Sequence, residues 1–403
     1  MREGGSSARG DGSTRAPARL LVVLPSWVGD VCMSTPMLRA LREAFPGTLI
    51  GGLCRPGMDE LLAGTRFLDE VHVQRASGVM GPKHAAAKVR HARYDTALLL
   101  TNSFSTALAV RMAGIPRRIG YDRDARGILL TDKLRAPTRA DGSWAPVPAV
   151  DYYWTLAERF LLPASRVGGA AKGPLELGLT DAQRAAGNDL LARALPGLEP
   201  TRPLAILNPG GNNPAKRWPA ERFARLGAWL ARERGWAVLV NGSPGERELT
   251  GRIASEVSSL APGAAVGDLA ASGVTLASLK AVVARAGLMV TNDTGPRHIA
   301  AALGVPVVTM FGPTDHRWTT IPTRPGGPEA IILADPTLPE DQVANDHPER
   351  CAIERIGEDR VREAVIEVLA RAEAGRGDGG GDSGRPDHPA DPARALDAAR
   401  GRS

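Results

Sequence analysis

Hydrophobic positions along this chain fall into short apolar runs separated by amphipathic stretches. "RLLVVLP", starting at Arg19, is a continuous apolar run, the pattern of a strand buried on both faces. "TPMLRALREAF" then carries apolar residues at helical spacing and stops at Pro-Gly, which predicts a helix and its end. "TLIGGLC", "VHVQ", "TALLLTN", "RIGY" and "LLTDKL" continue the strands, with helical stretches between several of them. A second series opens at "PLAILNPGG" and continues through the strands "WAVLVNGSPGE", "LMVTND" and "VPVVTMFGP". The helical stretches "PAERFARLGAWLARERG", "ERELTGRIASEV", "TLASLKAVVARAG" and "GPRHIAAALG" lie between them. Strand and helix in alternation predict an α/β fold with parallel sheets.

The two series read as two Rossmann-like units in tandem. We expect a disordered tail over 1–18, a first unit over 19–165, a linker over 166–203, a second unit over 204–350, a closing helix over 351–374 and a disordered tail over 375–403. The linker is rich in Ala, Gly and Pro and holds one helical stretch; both tails are low-complexity and dispensable for chemistry. Open α/β sheets bind ligands beyond the carboxyl ends of their strands. Asp30, Asn208 to Lys216, Gly242 to Glu246 and Asn292 to Gly295 all sit at such ends, which predicts one cleft between the units.

Composition narrows the function classes. The chain has 403 residues, 43% hydrophobic but only 4% aromatic, so aliphatic side chains must fill the cores. A net charge of +6, carried by the body rather than the tails, suits anionic ligands or an anionic membrane face. No Lys/Arg cluster interleaves with aromatics and no recognition helix is evident, so nucleic acid is not an expected partner. Cys32, Cys54 and Cys351 show no metal-ligand spacing and suggest a reducing compartment. No apolar run approaches the roughly 20 residues of a membrane span, and the N-terminus does not read as a signal peptide. A cytoplasmic location, with peripheral contact at the inner face of the cytoplasmic membrane, is the resulting expectation.

Each candidate motif has a functional and a bland reading. In "NPGGNNPAKRW", two glycines after a strand allow close approach of a phosphate that Lys216 and Arg217 could neutralise; a flexible loop with solvated basic residues is the alternative. It is not a P-loop. In "NDTGPRHIAAALG", Thr294-Gly295 opens a helix whose free amides could hold a diphosphate, with Asp293 beside sugar hydroxyls; Asp293 or Thr294 could instead simply cap that helix. His298 lies in its first turn and could face the ligand or the core. Glu246 in "NGSPGE" could bind a ribose or serve as a first-turn acid, and the absence of GxGxxG disfavours a dinucleotide. In the first unit, Asn102 and Ser103 of "TNSF" could bind an acceptor or cap a helix. Arg117, Arg118, Arg123 and Arg126 could meet an acidic acceptor or solvent. Asp30, after "PSWVG", is either a helix-capping acid or a general base.

Taken together, "LVVLPSWVGDVCMSTPMLRALREAFP", "TNSFSTALAVRMAGIPRRIGY", "NPGGNNPAKRWPAERFARLG" and "VTNDTGPRHIAAALGVPVVTMFGPTD" resemble the ADP-heptose:lipopolysaccharide heptosyltransferases of glycosyltransferase family 9, more closely the heptosyltransferase II group. The resemblance spans Arg19 to Asp315 and implies a GT-B fold, two Rossmann-like domains facing across a cleft, with the acceptor side N-terminal and the ADP-heptose side C-terminal. It implies inversion at the anomeric carbon with no metal and no cofactor. Asp30 would be the base and Lys216 the phosphate-contacting lysine. Asp293 would hold the heptose hydroxyls, and Thr294 and Gly295 would form the diphosphate-binding turn. Arg217, Trp218 and His298 fall within the motifs, and Glu246 lies near the family's ribose-binding acid. The acceptor would be a lipid-linked lipopolysaccharide core precursor. Two alternatives stay open: a family member with another nucleotide sugar or glycan, and a degenerate binder without activity. The cysteine-rich stretch of many relatives is absent after "FGPTDHRWT". The closing helix often packs back on the first domain in this fold.

Overall fold

The computed structural model of the protein describes residues 16–164, 172–338 and 351–377. Expectations for most of the two tails, for 165–171 of the linker region and for 339–350 fall outside the described residues. The first half carries β1 (Arg19–Val23), α1 (Val28–Ala44), β2 (Leu49–Cys54), α2 (Met58–Leu62), β3 (Glu70–Val73) and α3 (Gly81–Arg90). It continues with β4 (Thr96–Leu99), α4 (Phe104–Met112), β5 (Arg117–Asp122), β6 (Asp132–Arg135) and α5 (Ala149–Phe160). After α6 (Asp181–Ala194) come β7 (Leu204–Asn208), α7 (Ala220–Arg234), β8 (Ala237–Val240), α8 (Arg247–Leu260) and β9 (Val266–Asp268). The chain then runs through α9 (Leu276–Arg285), β10 (Leu288–Asn292), α10 (Gly295–Ala302), β11 (Val307–Phe311), β12 (Glu329–Leu333) and α11 (Glu358–Gly377).

The strands form two parallel six-stranded sheets, ordered β3-β2-β1-β4-β5-β6 and β12-β11-β10-β7-β8-β9. The two orders are the same path walked twice, since β7 to β12 take the places of β1 to β6. In each sheet the chain reverses direction of travel between its first and fourth strands, which opens a crevice past the strand ends. Strands at these reversals are buried along their length, which is why they read as unbroken apolar runs. The edge strands are less legible: β9 is only three residues, and β12 alternates in exposure.

Helix α1 starts at Val28, well before the Thr35-Pro36 that marks it in the sequence. Pro36 sits inside this helix and cannot donate to the Cys32 carbonyl four residues back. The Thr35 hydroxyl donates to that carbonyl at 2.6 Å instead, so the helix continues through the proline. Asp30 therefore lies inside the first helical turn.

The two halves meet through two helix pairs. Gly29 of α1 lies against the His298 ring of α10; a Cβ on Gly29 would stand 2.7 Å from the imidazole Cδ2. Gly295 likewise faces Val28, where a Cβ would approach the valine Cβ at 3.2 Å. At the second pair, the fully buried Lys280 of α9 donates to the carbonyls of Glu60, Leu61 and Ala63 at 3.1, 2.9 and 2.8 Å. These are carbonyls at the C-terminal end of the short helix α2, which the ammonium satisfies. Burial lowers the Lys280 pKa to about 8, partly offset by the nearby Cys32 and Glu60. One apolar cluster runs through this junction, from β1 and α1 to α9 and α10.

Among the described residues the closing helix α11 packs chiefly on β11, β12 and α7 of the second half. Its stripe of Val361, Val365 and Val368 buries in one cluster with Phe223, Leu226 and Val308. No helix among the described residues is long and apolar enough to cross a membrane.

Both junctions make predictions for stability. Gly29→Ala should lower stability by roughly 1–3 kcal/mol through overpacking. In the His298→Ala background the same substitution should be close to neutral, a non-additivity read by denaturant midpoints. Lys280→Met would leave three carbonyls short of a donor and should destabilise by roughly 2–4 kcal/mol in urea unfolding.

Candidate active site

Two pockets open at the carboxyl ends of the two sheets, and the first turn of α1 borders both. The first, about 500 Å³, is lined by Asp30, Tyr153, Thr101, Asn102 and Ser103 with the 74–78 segment. The second, about 430 Å³, is lined by Lys216, Glu246, Asp293, Thr294 and Gly295 with the glycine-rich loop after β7. Val28 borders the second pocket while Asp30, two residues on, borders the first. The cleft expected from the sequence thus holds two pockets, both bordered by the first turn of α1.

Asp30 is not the cap of α1. Trp27 holds the N-cap position, with no side-chain capping bond. Burial raises the Asp30 carboxyl above its ordinary range, partly opposed by a hydrogen bond from the Tyr153 hydroxyl. The Tyr153 phenol is pushed well up in turn, by burial first and then by the Asp30 charge. A carboxylate with raised basicity at a pocket wall can accept a proton from a hydroxyl placed there.

In the second pocket, side-chain amides fasten the strand ends. Asn208 Nδ2 donates to the Thr291 and Thr294 hydroxyls at 3.0 and 2.9 Å, and Asn241 Nδ2 donates to Asn208 Oδ1 at 2.6 Å. Asn292 Nδ2 donates to the Pro209 and Gly210 carbonyls at 2.8 and 3.1 Å, which sets the glycine loop against α10. Thr294 is the N-cap residue of α10, but its hydroxyl makes no capping bond to the helix. The helix therefore presents its N-terminal dipole to the pocket without a side-chain cap, an arrangement that favours an anion.

Lys216 pairs with Asp293 at 3.1 Å. The other oxygen of Asp293 meets Arg297 at 3.4 Å, and Arg297 is wholly buried and held on Glu329 at 2.6 and 3.0 Å. Arg297 also donates to the Thr319 hydroxyl at 3.0 Å. Asp293 thus has a second cation, and Lys216 can turn to a ligand without leaving that carboxylate unpaired. The sequence offers only the i, i+4 spacing of Asp293 and Arg297 as a signal; Glu329 lies on a distant strand.

Glu246 lines the second pocket, but most of its acceptor capacity is used within the protein. Its Oε1 accepts from the Gly211 amide at 3.0 Å, and its Oε2 accepts from the Ser243 amide and hydroxyl, both at 2.8 Å. Burial alone would raise this carboxyl, yet those bonds and the nearby Arg217 hold it below the ordinary range. One acceptor position of roughly four remains for a ligand.

Several residues singled out in the sequence do not come to the pockets. Arg217 folds back to donate to the Gly211 carbonyl at 2.9 and 2.7 Å. Trp218 is buried, with its indole donating to the Ile356 carbonyl at 2.8 Å. His298 is buried at the helix junction and borders neither pocket. Burial, with Arg297 beside it, lowers its pKa to about 3, so it is neutral and offers an anion no charge. The close contact at Gly29 comes from the His298 ring. Arg117 pairs with Asp132 at 3.3 Å, and Arg118 donates to the Ile115, Pro116 and Leu129 carbonyls. Both arginines open β5 at the end of the sheet away from the pockets, so their positions place them at the back of the fold. Asn102 and Ser103 do border the first pocket, and Ser103 also caps α4 by accepting from the Thr106 amide.

Known proteins share this architecture. Residues 84–349 match the profile described as Glycosyltransferase family 9 (heptosyltransferase). Lipopolysaccharide heptosyltransferase 2 of Salmonella typhimurium is 31% identical over 314 residues, covering 75% of this chain and 84% of that protein. The structure of E. coli ADP-heptose lps heptosyltransferase II has a TM-score of 0.70 at 25% identity, covering 88% of this chain and 99% of that one. A family 9 glycosyl transferase from Veillonella parvula has the same fold, with a TM-score of 0.71 at 20% identity over 88% of this chain and 97% of that one. Twin parallel sheets facing a cleft make this a GT-B fold, and by the match over most of its length the chain belongs to glycosyltransferase family 9, the heptosyltransferases.

Proposed function

We propose that the protein transfers heptose from ADP-heptose to a lipopolysaccharide inner-core precursor, with inversion at the anomeric carbon, and that the first half holds the acceptor and the second half the donor. The relatives' names supply the donor and the pathway; the observation that carries the reading here is Asp30. It lines the first pocket from the first turn of α1, whose Val28 lines the second, and its basicity is raised by burial.

In this reading Asp30 takes the proton from the acceptor hydroxyl as that oxygen bonds to the heptose C1 and the C1–O bond to ADP breaks. The diphosphate leaves with added negative charge at the N-terminus of α10, beside Thr294 and Gly295, where Lys216 can reach it. Donors held in place before the reaction stabilise such charge better than reorganising water does. Asp293, steadied by Arg297, is free to accept from heptose hydroxyls. Glu246 offers its remaining acceptor position to the ribose. Because both pockets border the first turn of α1, donor and acceptor meet there, which aligns them and limits access of water to the activated sugar. The acceptor is lipid-linked in this reading, and the +6 charge supports peripheral contact with the anionic inner face of the cytoplasmic membrane.

Asp30→Asn should lower ADP release from ADP-heptose and a heptosylated lipid A acceptor by roughly 100-fold to 10,000-fold, with ADP binding by calorimetry little changed. Undiminished turnover would remove Asp30 from the base role. The wild-type rate should fall on the acid side with an apparent pKa above that of a free aspartate. Stability runs the opposite way with pH. The folded carboxyl keeps its proton to higher pH than the unfolded one, so its contribution is full below the unfolded pKa and is lost as pH rises through the folded value. Asp30→Asn should therefore raise the melting midpoint at neutral pH, by a margin that shrinks toward the pKa of unfolded aspartate. Lys216→Met should lower kcat by roughly 100-fold to 1,000-fold and weaken ADP binding, which separates the donor side from the base.

A further inference from the structure

The first pocket contains a polar network that the proposed chemistry does not use. Asn102 follows β4 at the reversal of the first sheet and shares the pocket wall with Asp30 and Tyr153. Its side-chain oxygen accepts from the Tyr152 hydroxyl at 3.1 Å and from Arg126 Nη2 at 3.2 Å. A guanidinium can only donate, so the atom facing Arg126 must be the amide oxygen. That settles which way the amide is turned, and Nδ2 is left without a protein partner among the described residues.

The two donors are themselves held firmly. Arg126 is fully buried, and donates through Nε to the Tyr121 carbonyl at 2.8 Å and through Nη1 to the Thr101 carbonyl. Tyr152 stacks on Tyr121 with ring centroids 3.8 Å apart, and the Tyr121 hydroxyl donates to the Tyr152 carbonyl at 2.8 Å. Burying a whole arginine is unfavourable unless its donors are matched. Here two backbone carbonyls and one side-chain amide match them, and that amide is the group at the pocket.

We infer that Arg126 and Tyr152 are positioning residues that turn the Asn102 amide so that its Nδ2 donates to an oxygen of the acceptor sugar. The inference rests on the reading of this pocket as the acceptor side. Asn102 then fixes the acceptor beside Asp30, and the buried arginine acts on the substrate only through the amide it orients. The surface-facing Arg117 and Arg118 have no part in this.

A double-mutant cycle tests it, with wild-type transfer from ADP-heptose to a heptosylated lipid A acceptor as the reference. Asn102→Ala should raise the acceptor KM about tenfold, the effect of one lost hydrogen bond of about 1.4 kcal/mol, with the donor KM unchanged. Tyr152→Phe deletes a single hydroxyl and should raise the acceptor KM severalfold in the wild-type background but not further in the Asn102→Ala background. Asn102→Asp keeps the oxygen that Arg126 and Tyr152 require while removing the donor; it should keep the melting midpoint at or above wild type and still raise the acceptor KM. Independent, multiplying effects of Tyr152→Phe and Asn102→Ala would overturn the positioning role. An unchanged acceptor KM in Asn102→Asp would overturn the donor role of Nδ2. Absence of wild-type turnover is a separate result that would overturn the proposed reaction and, with it, the acceptor reading on which this inference rests.

Discussion

The close approach of α1 and α10 is the contact on which the site depends. Gly29 lies under the His298 ring and Gly295 lies against Val28, so two helix N-termini from different halves pack closely, each glycine making room for a side chain of the other helix. Each helix follows a strand at the reversal point of its own sheet. Packing them together therefore brings the two crevices side by side and makes the first turn of α1 a border of both. A bulkier residue at either glycine would push the pockets apart.

The electrostatics follow from this geometry. Asp30 is desolvated because the junction and α5 cover it, and its raised basicity has burial as its main cause. His298 is neutral for the same reason and serves as packing. Beside the second pocket, the charges are arranged in series: Glu329 holds Arg297, Arg297 steadies Asp293, and Asp293 holds Lys216 at the pocket. Buried ion pairs add little net stability in general. Their value in this protein is positional, since the chain of pairs delivers one cation to the pocket at its exposed end.

Lys280 adds a constraint of another kind. Its ammonium closes three carbonyls of the first half from a helix of the second. With the continuous apolar cluster around it, this makes the junction a packed interior rather than a loose contact between two independent units.

The sequence by itself determined the alternation of strands and helices, the repeat of one unit after another, and the strand-end loops that carry Asp30, Lys216, Asp293 and Asn102. These are local properties: burial on both faces gives apolar runs, and polar or glycine-rich loops mark where the strands stop. The edge strands β9 and β12 were less legible because one is very short and the other is half-exposed. Tertiary structure alone decided which polar residues reach a pocket. Arg117 and Arg118 look like their neighbours in the sequence, yet they begin a strand, and a parallel sheet puts its beginning at the far end from the ligand. Arg217 and Trp218 adjoin Lys216 but turn to a carbonyl and to the core. Tyr152, Tyr153 and Glu329 carry no motif at all, and Arg126 was read with its neighbours as a possible contact to an acidic acceptor; they matter because distant segments fold against Asp30, Arg297 and Asn102. Direction of side chains and the pairing of buried charges are set by packing between segments far apart in the chain, and a linear pattern does not encode them.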